Sequence, residues 1–444
     1  MVIKKIFPLL ALVLCVGLCS SQPSTAEFHL FCRILAEAND MILEQDYVYD
    51  ENKDRQVLKE IDVLHQATTE NMEDFRKMLW ETKEFLEKHP PPMQLKNRQE
   101  AHREIGMLIA DGERKIHESR GLSEKANEEM KKAKLSAVQG LYGDEVKEVP
   151  RGEANWTAVR TDTKSIFVDV SSAKKSCGNE SNATGKTLIN DFFCVCVGEG
   201  FDEKVNAPCH DDIMPPKAVK CPNNDCCEKD CCKDGCCTSS CENNCCNCGC
   251  WTQMGHKGDE RKVLNFSESI KKIEDICKDT LEENLRKNML SLLVEYQDMI
   301  GKGTNDSTTK KIFGHSGRKK KEEVTTCDGT QGSNSDSHKE KYNEKICVNY
   351  KNNYNKGNKT YSISWHNKFK NYFMIMKKAK NIKEKILKNR AQLLLLKDKA
   401  WTAYTREKDD ESANLDDMNM SHIFDGWKLN SVFPFPYLFL ILAL

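Results

Sequence analysis

The chain has 444 residues, of which 30% are charged and 39% hydrophobic, and its formal net charge is -1 at pH 7. A net charge this close to zero gives no global positive field, so the composition argues against a nucleic-acid-binding protein.

The first residues have the pattern of a signal peptide. Two lysines precede an apolar run over residues 6–18, and small residues follow this run. The run covers only about 20 Å as a helix, which is short of a bilayer core of about 30 Å. A cleaved leader over residues 1–21 is therefore favoured over a membrane anchor. We expect cleavage near Ser21, with Ala26 as the alternative.

Heptad repeats then predict a pair of long helices. Apolar residues recur at alternating steps of three and four from Arg55 to His89, and three prolines at 90–92 end this repeat. The same repeat runs from Gln94 to Gln139 with small residues interspersed, which allow two helix axes to approach closely. We expect an antiparallel rod about 50 to 70 Å long, with a shorter helix from Phe28 to Leu43 against it.

Periodicity disappears over residues 140–262, where Gly, Pro, Asn and Cys become frequent and predict a loop-rich lobe. Twelve cysteines fall within residues 221–250, a segment that we call the cysteine knot. Dense thiols could bind soft metal ions in a reducing cytosol. The export signal favours disulfides instead, because an exported segment with few apolar residues depends on crosslinks for its shape.

Helical spacing returns from Phe266 to Met299 and again from about Ser364 to Tyr404. Residues 304–343 between them are rich in Gly, Ser, Asn and Lys, which predicts a flexible loop. Residues 22–406 therefore form one helical domain. The predicted fold class is mainly α, an elongated antiparallel helical coiled-coil bundle with a disulfide-stapled, loop-rich lobe.

The end of the sequence has the pattern of a signal for a glycosylphosphatidylinositol (GPI) anchor. A short acidic stalk over residues 407–421 precedes a polar spacer and a terminal apolar tail, and residues 422–444 are expected to be removed. Ser421 is the predicted attachment site. Asp425, Gly426 and Asn430 are rival sites.

Outside the leader and the cysteine knot there are eight cysteines, an even number, which we expect to form disulfides: Cys32, Cys177, Cys194, Cys196, Cys209, Cys277, Cys327 and Cys347. Their pairing does not follow from the sequence. Cys277 lies on a helical seam and could instead be a small buried hydrophobic residue. The predicted N-glycosylation sites are Asn155, Asn179, Asn182, Asn265, Asn305 and Asn358. Asn419 completes a seventh sequon but lies close to the anchor.

No spacing in the sequence indicates catalysis: there is no helical pair of histidines with an intervening Glu, no nucleophile elbow and no complete phosphate loop. Gly185-Lys186-Thr187 matches only the end of a phosphate loop, because Glu180 replaces the leading glycine. We expect no enzyme activity, no cofactor and no metal site.

The chain begins this pattern with an early cysteine in Phe31-Cys32-Arg33-Ile34. Two long predicted helices and a cysteine-bearing lobe then follow in order. Gly185-Lys186-Thr187-Leu188 then leads to Phe192-Phe193-Cys194-Val195-Cys196. In this order and spacing, residues 27 to about 405 resemble the variant surface glycoproteins of African trypanosomes, particularly their B-type N-terminal domain. Two departures from many family members are expected: no separate cysteine-bearing C-terminal domain after Tyr404, and the presence of the cysteine knot.

The resemblance implies a homodimer in a dense coat, held by a GPI anchor in the outer leaflet of the plasma membrane. It also implies variable loops presented to host antibodies, and no nucleic-acid partner. We place the cysteine knot and residues 304–343 at the membrane-distal end as a hypothesis. Two alternatives remain at this stage: a nutrient receptor on a similar helical rod that binds a host-serum protein, and a metal-chelating protein.

Overall fold

A computed structural model gives the fold of the chain. It describes residues 22–71, 83–178, 183–200, 205–215, 251–255, 263–280, 288–303, 311–318, 324, 326–332 and 343–406. The leader, the cysteine knot, the stalk and the tail lie outside these residues.

The described part of the chain is mainly helical. Its labelled helices are α1 Thr25–Leu43, α2 Glu51–Ala67, α3 Leu95–Tyr142, α4 Gly152–Thr161, α5 Thr163–Ile166, α6 Ala173–Cys177, α7 Leu188–Cys196, α8 Phe266–Thr280, α9 Met289–Met299 and α10 Ser364–Thr405. Residues 83–88 are also helical, and a short 3-10 helix covers Lys351–Asn353. None of the described helices is both long and apolar enough to cross a membrane.

The described strands are two residues long and pair in antiparallel ladders. They are β1 Met254–Gly255 with β2 Val263–Leu264, β3 Ile312–Phe313 with β4 Val348–Asn349, and β5 Tyr354–Asn355 with β6 Thr360–Tyr361. Long helices with few strands and four disulfides confirm the predicted class, a helical bundle with a disulfide-stapled lobe.

The chain divides into two compact units. The helical unit comprises residues 48–125 and 381–444, and the lobe unit comprises residues 1–47 and 126–380. Helices α3 and α10 contribute residues to both units.

The core of the helical unit is built from the heptad positions of α2, α3 and α10. Its buried side chains are Leu58, Ile61, Leu64, Ala67, Ala101, Ile105, Ile116, Leu393, Leu396, Ala400, Ala403 and Tyr404. Most of them lie on the apolar faces that the periodicity predicts, so the pattern of the sequence accounts for this core.

Gly112 on α3 lies at a close approach of α3 to α2 and α10 within this core. A Cβ atom at this position would lie 2.7 Å from Leu58 Cδ1 and 3.1 Å from Leu393 Cδ1. Gly112 therefore makes room for side chains of α2 and α10, as the small seam residues of the sequence suggest.

We expect Gly112→Val to lower the free energy of unfolding by about 2 kcal/mol, because the added methyl groups overpack the core. Gly121→Val on the same helix is the matched control, since a Cβ atom there meets nothing within 4 Å. That control should change stability by no more than about 0.5 kcal/mol. Denaturant unfolding measures both variants, and equal losses would contradict the packing argument.

The predicted continuous helix from Arg55 to His89 is wrong, because α2 ends at Ala67. The carbonyl oxygen of His65 accepts hydrogen bonds from the Thr68 hydroxyl at 2.8 Å and from His102 Nδ1 at 3.0 Å. Side chains thus satisfy a carbonyl that the next helical turn would otherwise use. The polar residues in the seam are the physical reason for the break.

The lobe unit has a larger core, in which α1 packs against α9, α8 and α7. All residues of α7 from Leu188 to Cys196 are buried, which is the pattern of a helix surrounded by protein. Aromatic rings fill the space around it, with Phe31 edge-on to Phe192 and Phe167 edge-on to Phe193. The helix α7 is the centre of the stapled lobe.

The single helix predicted from Phe266 to Met299 is also wrong, because α8 ends at Thr280 and α9 begins after Asn288. Asn288 has an extended backbone, and its side chain accepts a hydrogen bond from the Ser291 backbone N-H at 2.9 Å. This is an N-cap, which starts a new helix and cannot lie inside a continuous one.

The segment 304–343, which the sequence predicts to be a flexible loop, contains packed residues in the parts that are described. Ile312, Phe313 and Val324 are buried, and Phe313 stacks on Tyr296 with 3.8 Å between ring centroids. The few apolar side chains of this polar segment therefore attach it to the lobe core.

Candidate functional site

Among the described residues of the lobe unit, eight cysteines form four disulfides. The pairs are Cys32–Cys277, Cys177–Cys194, Cys196–Cys209 and Cys327–Cys347. These are the eight cysteines outside the leader and the cysteine knot that were expected to form disulfides. Cys277, for which a small buried hydrophobic residue was the alternative, is in a disulfide.

The disulfides tie loops and distant helices of the lobe to one another. Cys194 and Cys196 lie on α7 and reach Cys177 and Cys209, so one buried helix anchors two neighbouring segments. Cys32 joins α1 to Cys277 on α8 across a sequence separation of 245 residues. The crosslinks restrict the unfolded chain most where this separation is longest.

The Gly185-Lys186-Thr187 tripeptide starts α7 and is structural in this fold. The Thr187 hydroxyl accepts a hydrogen bond from the Asn190 backbone N-H at 3.0 Å, which caps the helix. The Lys186 ammonium donates to the backbone oxygens of Lys164 and Phe167 at 2.9 and 2.8 Å. These bonds use the groups that a phosphate loop would direct at a phosphate.

Asp191, on the first turn of α7, is a fully buried carboxyl group. It accepts hydrogen bonds from the Trp365 indole at 2.8 Å and from the Tyr350 hydroxyl. Asn190 donates to its other oxygen at 3.2 Å, and the Gly185 backbone N-H also donates to this carboxyl group. Three parts of the lobe therefore meet at one side chain: the start of α7, the segment at Tyr350 and the start of α10.

Burial raises the pKa of Asp191 to about 6, and the hydrogen bonds from Tyr350, Trp365 and Asn190 only partly offset this shift. Asp191 is not among the residues predicted from the sequence. Its signal is a lone acidic residue in the apolar run from Leu188 to Val197, because a carboxyl group on a buried helix needs partners. The positions of those partners, far along the chain, could not be read from the sequence.

Three of the predicted glycosylation sites fall within the described residues, and all three asparagines are exposed: Asn155, Asn265 and Asn358. Asn155 lies on α4. Asn358 lies in the turn between β5 and β6, where its side-chain oxygen accepts hydrogen bonds from the Thr360 backbone N-H at 3.2 Å and hydroxyl at 2.6 Å. The side chains at these positions have room for a glycan.

Asn265 has a second role, because it caps α8. Its side-chain oxygen accepts from the Glu268 backbone N-H at 2.9 Å, and the Glu268 carboxylate accepts from the Asn265 backbone N-H at 3.0 Å. This reciprocal pair is a capping box.

The two roles can be separated by mutation. We expect Ser267→Ala to remove a glycan at Asn265 while leaving stability within about 0.5 kcal/mol, because exposed Ser267 completes the sequon but not the cap. Asn265→Ala should remove the same glycan and lower the free energy of unfolding by about 1 kcal/mol. Gel mobility before and after enzymatic deglycosylation, with denaturant unfolding of the deglycosylated protein, measures both effects. Equal stability of the two variants would contradict the capping role.

The remaining predicted sites lie outside the described residues. They are Asn179, Asn182, Asn305, the anchor site Ser421 with its rivals, and the cysteine knot at 221–250. Across the described part of the chain, no group of three or more His, Cys, Asp or Glu residues could hold a metal ion.

The fold and the disulfides define a class of protein, a helical bundle whose lobe is stapled around a buried helix. Residues 40–219 match the family model for the trypanosomal VSG domain. VSG denotes variant surface glycoprotein. The matched segment includes α2, α3 and α7 and the two disulfides of α7, Cys177–Cys194 and Cys196–Cys209. No curated protein matches the chain.

Proposed function

We propose that the chain is a GPI-anchored coat protein that covers the trypanosome surface as a homodimer, shields the membrane and takes part in antigenic variation. The observation that carries this proposal is the trypanosomal VSG domain over residues 40–219. In this proposal the mechanism is physical shielding, and no step of it requires a catalytic residue, a cofactor or a metal.

The division between buried and exposed positions supports a role in antigenic variation. Seam residues such as Leu58, Ile105 and Leu393 are buried, whereas Arg103 and Glu113, on the same helix as Ile105, are exposed. Substitutions at exposed positions usually change stability by no more than about 0.5 kcal/mol. The surface that host antibodies meet can therefore change while the core keeps one fold.

The disulfides and the glycan acceptors support a location outside the cell. Disulfides persist in the oxidising secretory route, and N-glycans are added there. A leader over residues 1–21 and an anchor at Ser421 would deliver and retain such a domain on the outer leaflet.

Treatment of intact cells with a phosphatidylinositol-specific phospholipase tests the anchor. We expect the enzyme to release the full ectodomain into the medium, because the lipid is its only attachment to the cell in this proposal. Protein that stays on the cell after treatment, while a known GPI-anchored protein is released, would contradict lipid anchoring.

A truncated chain that ends at Ser421 is the matched control. It keeps the whole ectodomain but lacks the signal over residues 422–444, so it should be secreted without treatment. Its retention at the surface would show that another part of the chain holds the protein there.

A further inference from the structure

Residues 89–95, which we call the triproline segment, join the helical residues 83–88 to the start of α3. The segment contains three consecutive prolines at 90–92, which are followed closely by Met93 and Leu95. Met93 is 96% exposed, the highest value among the large hydrophobic side chains of the described residues, and Leu95 is 54% exposed. The triproline segment therefore presents apolar groups at the surface of the helical unit.

The triproline segment lies at the end of the helical unit where α10 ends. The Tyr404 hydroxyl donates a hydrogen bond to the His89 backbone oxygen at 2.8 Å. The Trp401 ring lies edge-on to the His89 ring, with 5.2 Å between the ring centroids. Arg406 forms an ion pair with Glu104 on α3 at 3.2 Å. Arg406, the last described residue, and the triproline segment therefore share one end of this unit.

The composition of the triproline segment suits the boundary between water and a lipid bilayer. The seven residues between Lys88 and Lys96 include no Asp, Glu, Lys or Arg. The three prolines have no backbone N-H, so a lipid surface would desolvate fewer donors here than in an ordinary loop. Lys88 and Lys96 are exposed on either side, where their ammonium groups can extend to lipid phosphates.

Trp401 adds an aromatic ring at the same end of the helical unit. It packs on Phe85 with 5.8 Å between the ring centroids, and its side chain is only partly buried. Tryptophan is enriched at membrane-water interfaces, because its large apolar ring carries one polar N-H. An apolar segment flanked by lysines and a partly exposed tryptophan thus lie side by side.

We propose that the triproline segment, with Trp401 beside it, docks on the zwitterionic lipid of the outer leaflet that carries the protein. The inference rests on the proposed function, because it requires a lipid anchor at Ser421. Residues 407–421 join Arg406 to this anchor. A flexible chain of that length spans about 20 Å on average and about 50 Å when fully extended. The tether therefore keeps this end of the helical unit within reach of the lipid.

Photo-crosslinking of the anchored protein in phosphatidylcholine vesicles tests the inference. Some lipids would carry a photoactivatable group high on one acyl chain, and the protein density would be low enough to keep copies apart. Trypsin releases residues 89–96 as one peptide and residues 104–114 as another. The second peptide is the matched control, because it contains Met107, which is 54% exposed on the same helix about 18 Å beyond Leu95.

We expect the yield of lipid adducts in residues 89–96 to exceed that in residues 104–114 by about tenfold, because only docked apolar side chains contact acyl chains. Equal yields, or anchored protein without adducts in residues 89–96, would overturn the inference alone. A chain that carries no lipid and does not enter the vesicles would overturn both the inference and the proposed function. Crosslinks between copies through residues 89–96, in place of lipid adducts, would identify a second copy as the partner and contradict the inference.

Two variants separate docking from chance collision. The double variant Met93→Ser and Leu95→Ser should lower the adduct yield in residues 89–96 by about fivefold, because it removes the apolar groups that enter the lipid. Met107→Ser should leave this yield unchanged. All three side chains are exposed, so neither variant disturbs the core of the helical unit. An unchanged yield in the double variant would contradict docking through the triproline segment.

Discussion

Replacing both Cys32 and Cys277 with alanine should lower the free energy of unfolding by about 4 to 5 kcal/mol. The two cysteines are buried and are separated by 245 residues, the longest separation among the disulfides of the described residues. A crosslink over such a distance removes more conformational freedom from the unfolded chain than a short one does. We expect α1 and α8 to lose their fixed contact first.

The Cys196–Cys209 pair is the matched control, because both cysteines are buried but only 13 residues separate them. Its double alanine variant should lose about 2 to 3 kcal/mol less than the Cys32–Cys277 variant does. Denaturant unfolding of the non-reduced proteins measures both losses. Equal losses would show that local packing, and not chain entropy, determines how much each disulfide stabilises the lobe.

Asp191 should make the lobe less stable as the pH rises from about 4 to about 7. Burial raises its pKa to about 6 in the folded protein, from an ordinary value of 3.8. In this window the folded protein binds a proton that the unfolded chain has already released, so the free energy of unfolding falls as the pH rises. The full penalty is about 3 kcal/mol above pH 6 and is absent below pH 4.

Asp191→Asn cannot ionise, so it should lack this dependence. The stability of the wild type relative to Asp191→Asn should fall by about 3 kcal/mol between pH 4 and pH 7. The difference in the free energy of unfolding between the two proteins is the useful quantity. Burial lowers the pKa of His315 and His366, so their titration makes the free energy of unfolding rise with pH in both proteins. Parallel pH profiles for the two proteins would contradict the assignment to Asp191.

Asp169 serves as a control, because its effect on the free energy of unfolding should change with pH in the opposite direction. Burial tends to raise its pKa, but hydrogen bonds from Ser171 and Lys175 outweigh burial and lower it. The stabilisation by this carboxylate is therefore present above its unfolded pKa and is lost as the pH falls through its folded value. The stability of the wild type relative to Asp169→Asn should rise with pH.

Heptad spacing was sufficient to predict the long helices, because α3 and α10 bury continuous apolar faces. The heptad spacing failed to predict two helix ends, where a polar side chain forms a hydrogen bond with the backbone. Thr68 ends α2 and Asn288 starts α9, although apolar residues continue the repeat beyond both positions. A local hydrogen bond at a cap can outweigh a periodic pattern because it satisfies backbone groups at that point.

The positions of the lobe cysteines could be predicted, but their partners could not. Cys32 and Cys277 are brought together by the packing of α1 on α8, which depends on the whole fold. The same holds for Asp191, whose partners Tyr350 and Trp365 follow it by more than 150 residues. Long-range contacts of this kind leave no local signal in a single sequence.

Quantitative mass spectrometry of the surface proteins of expressing trypanosomes tests the coat function most directly. Intact cells would be labelled with a membrane-impermeant reagent, and proteins bound to the chain would be recovered from host serum in parallel. The account predicts that this chain is the most abundant labelled protein and that it retains no specific serum protein. A minor surface protein that captures one serum component would contradict the account and identify a receptor.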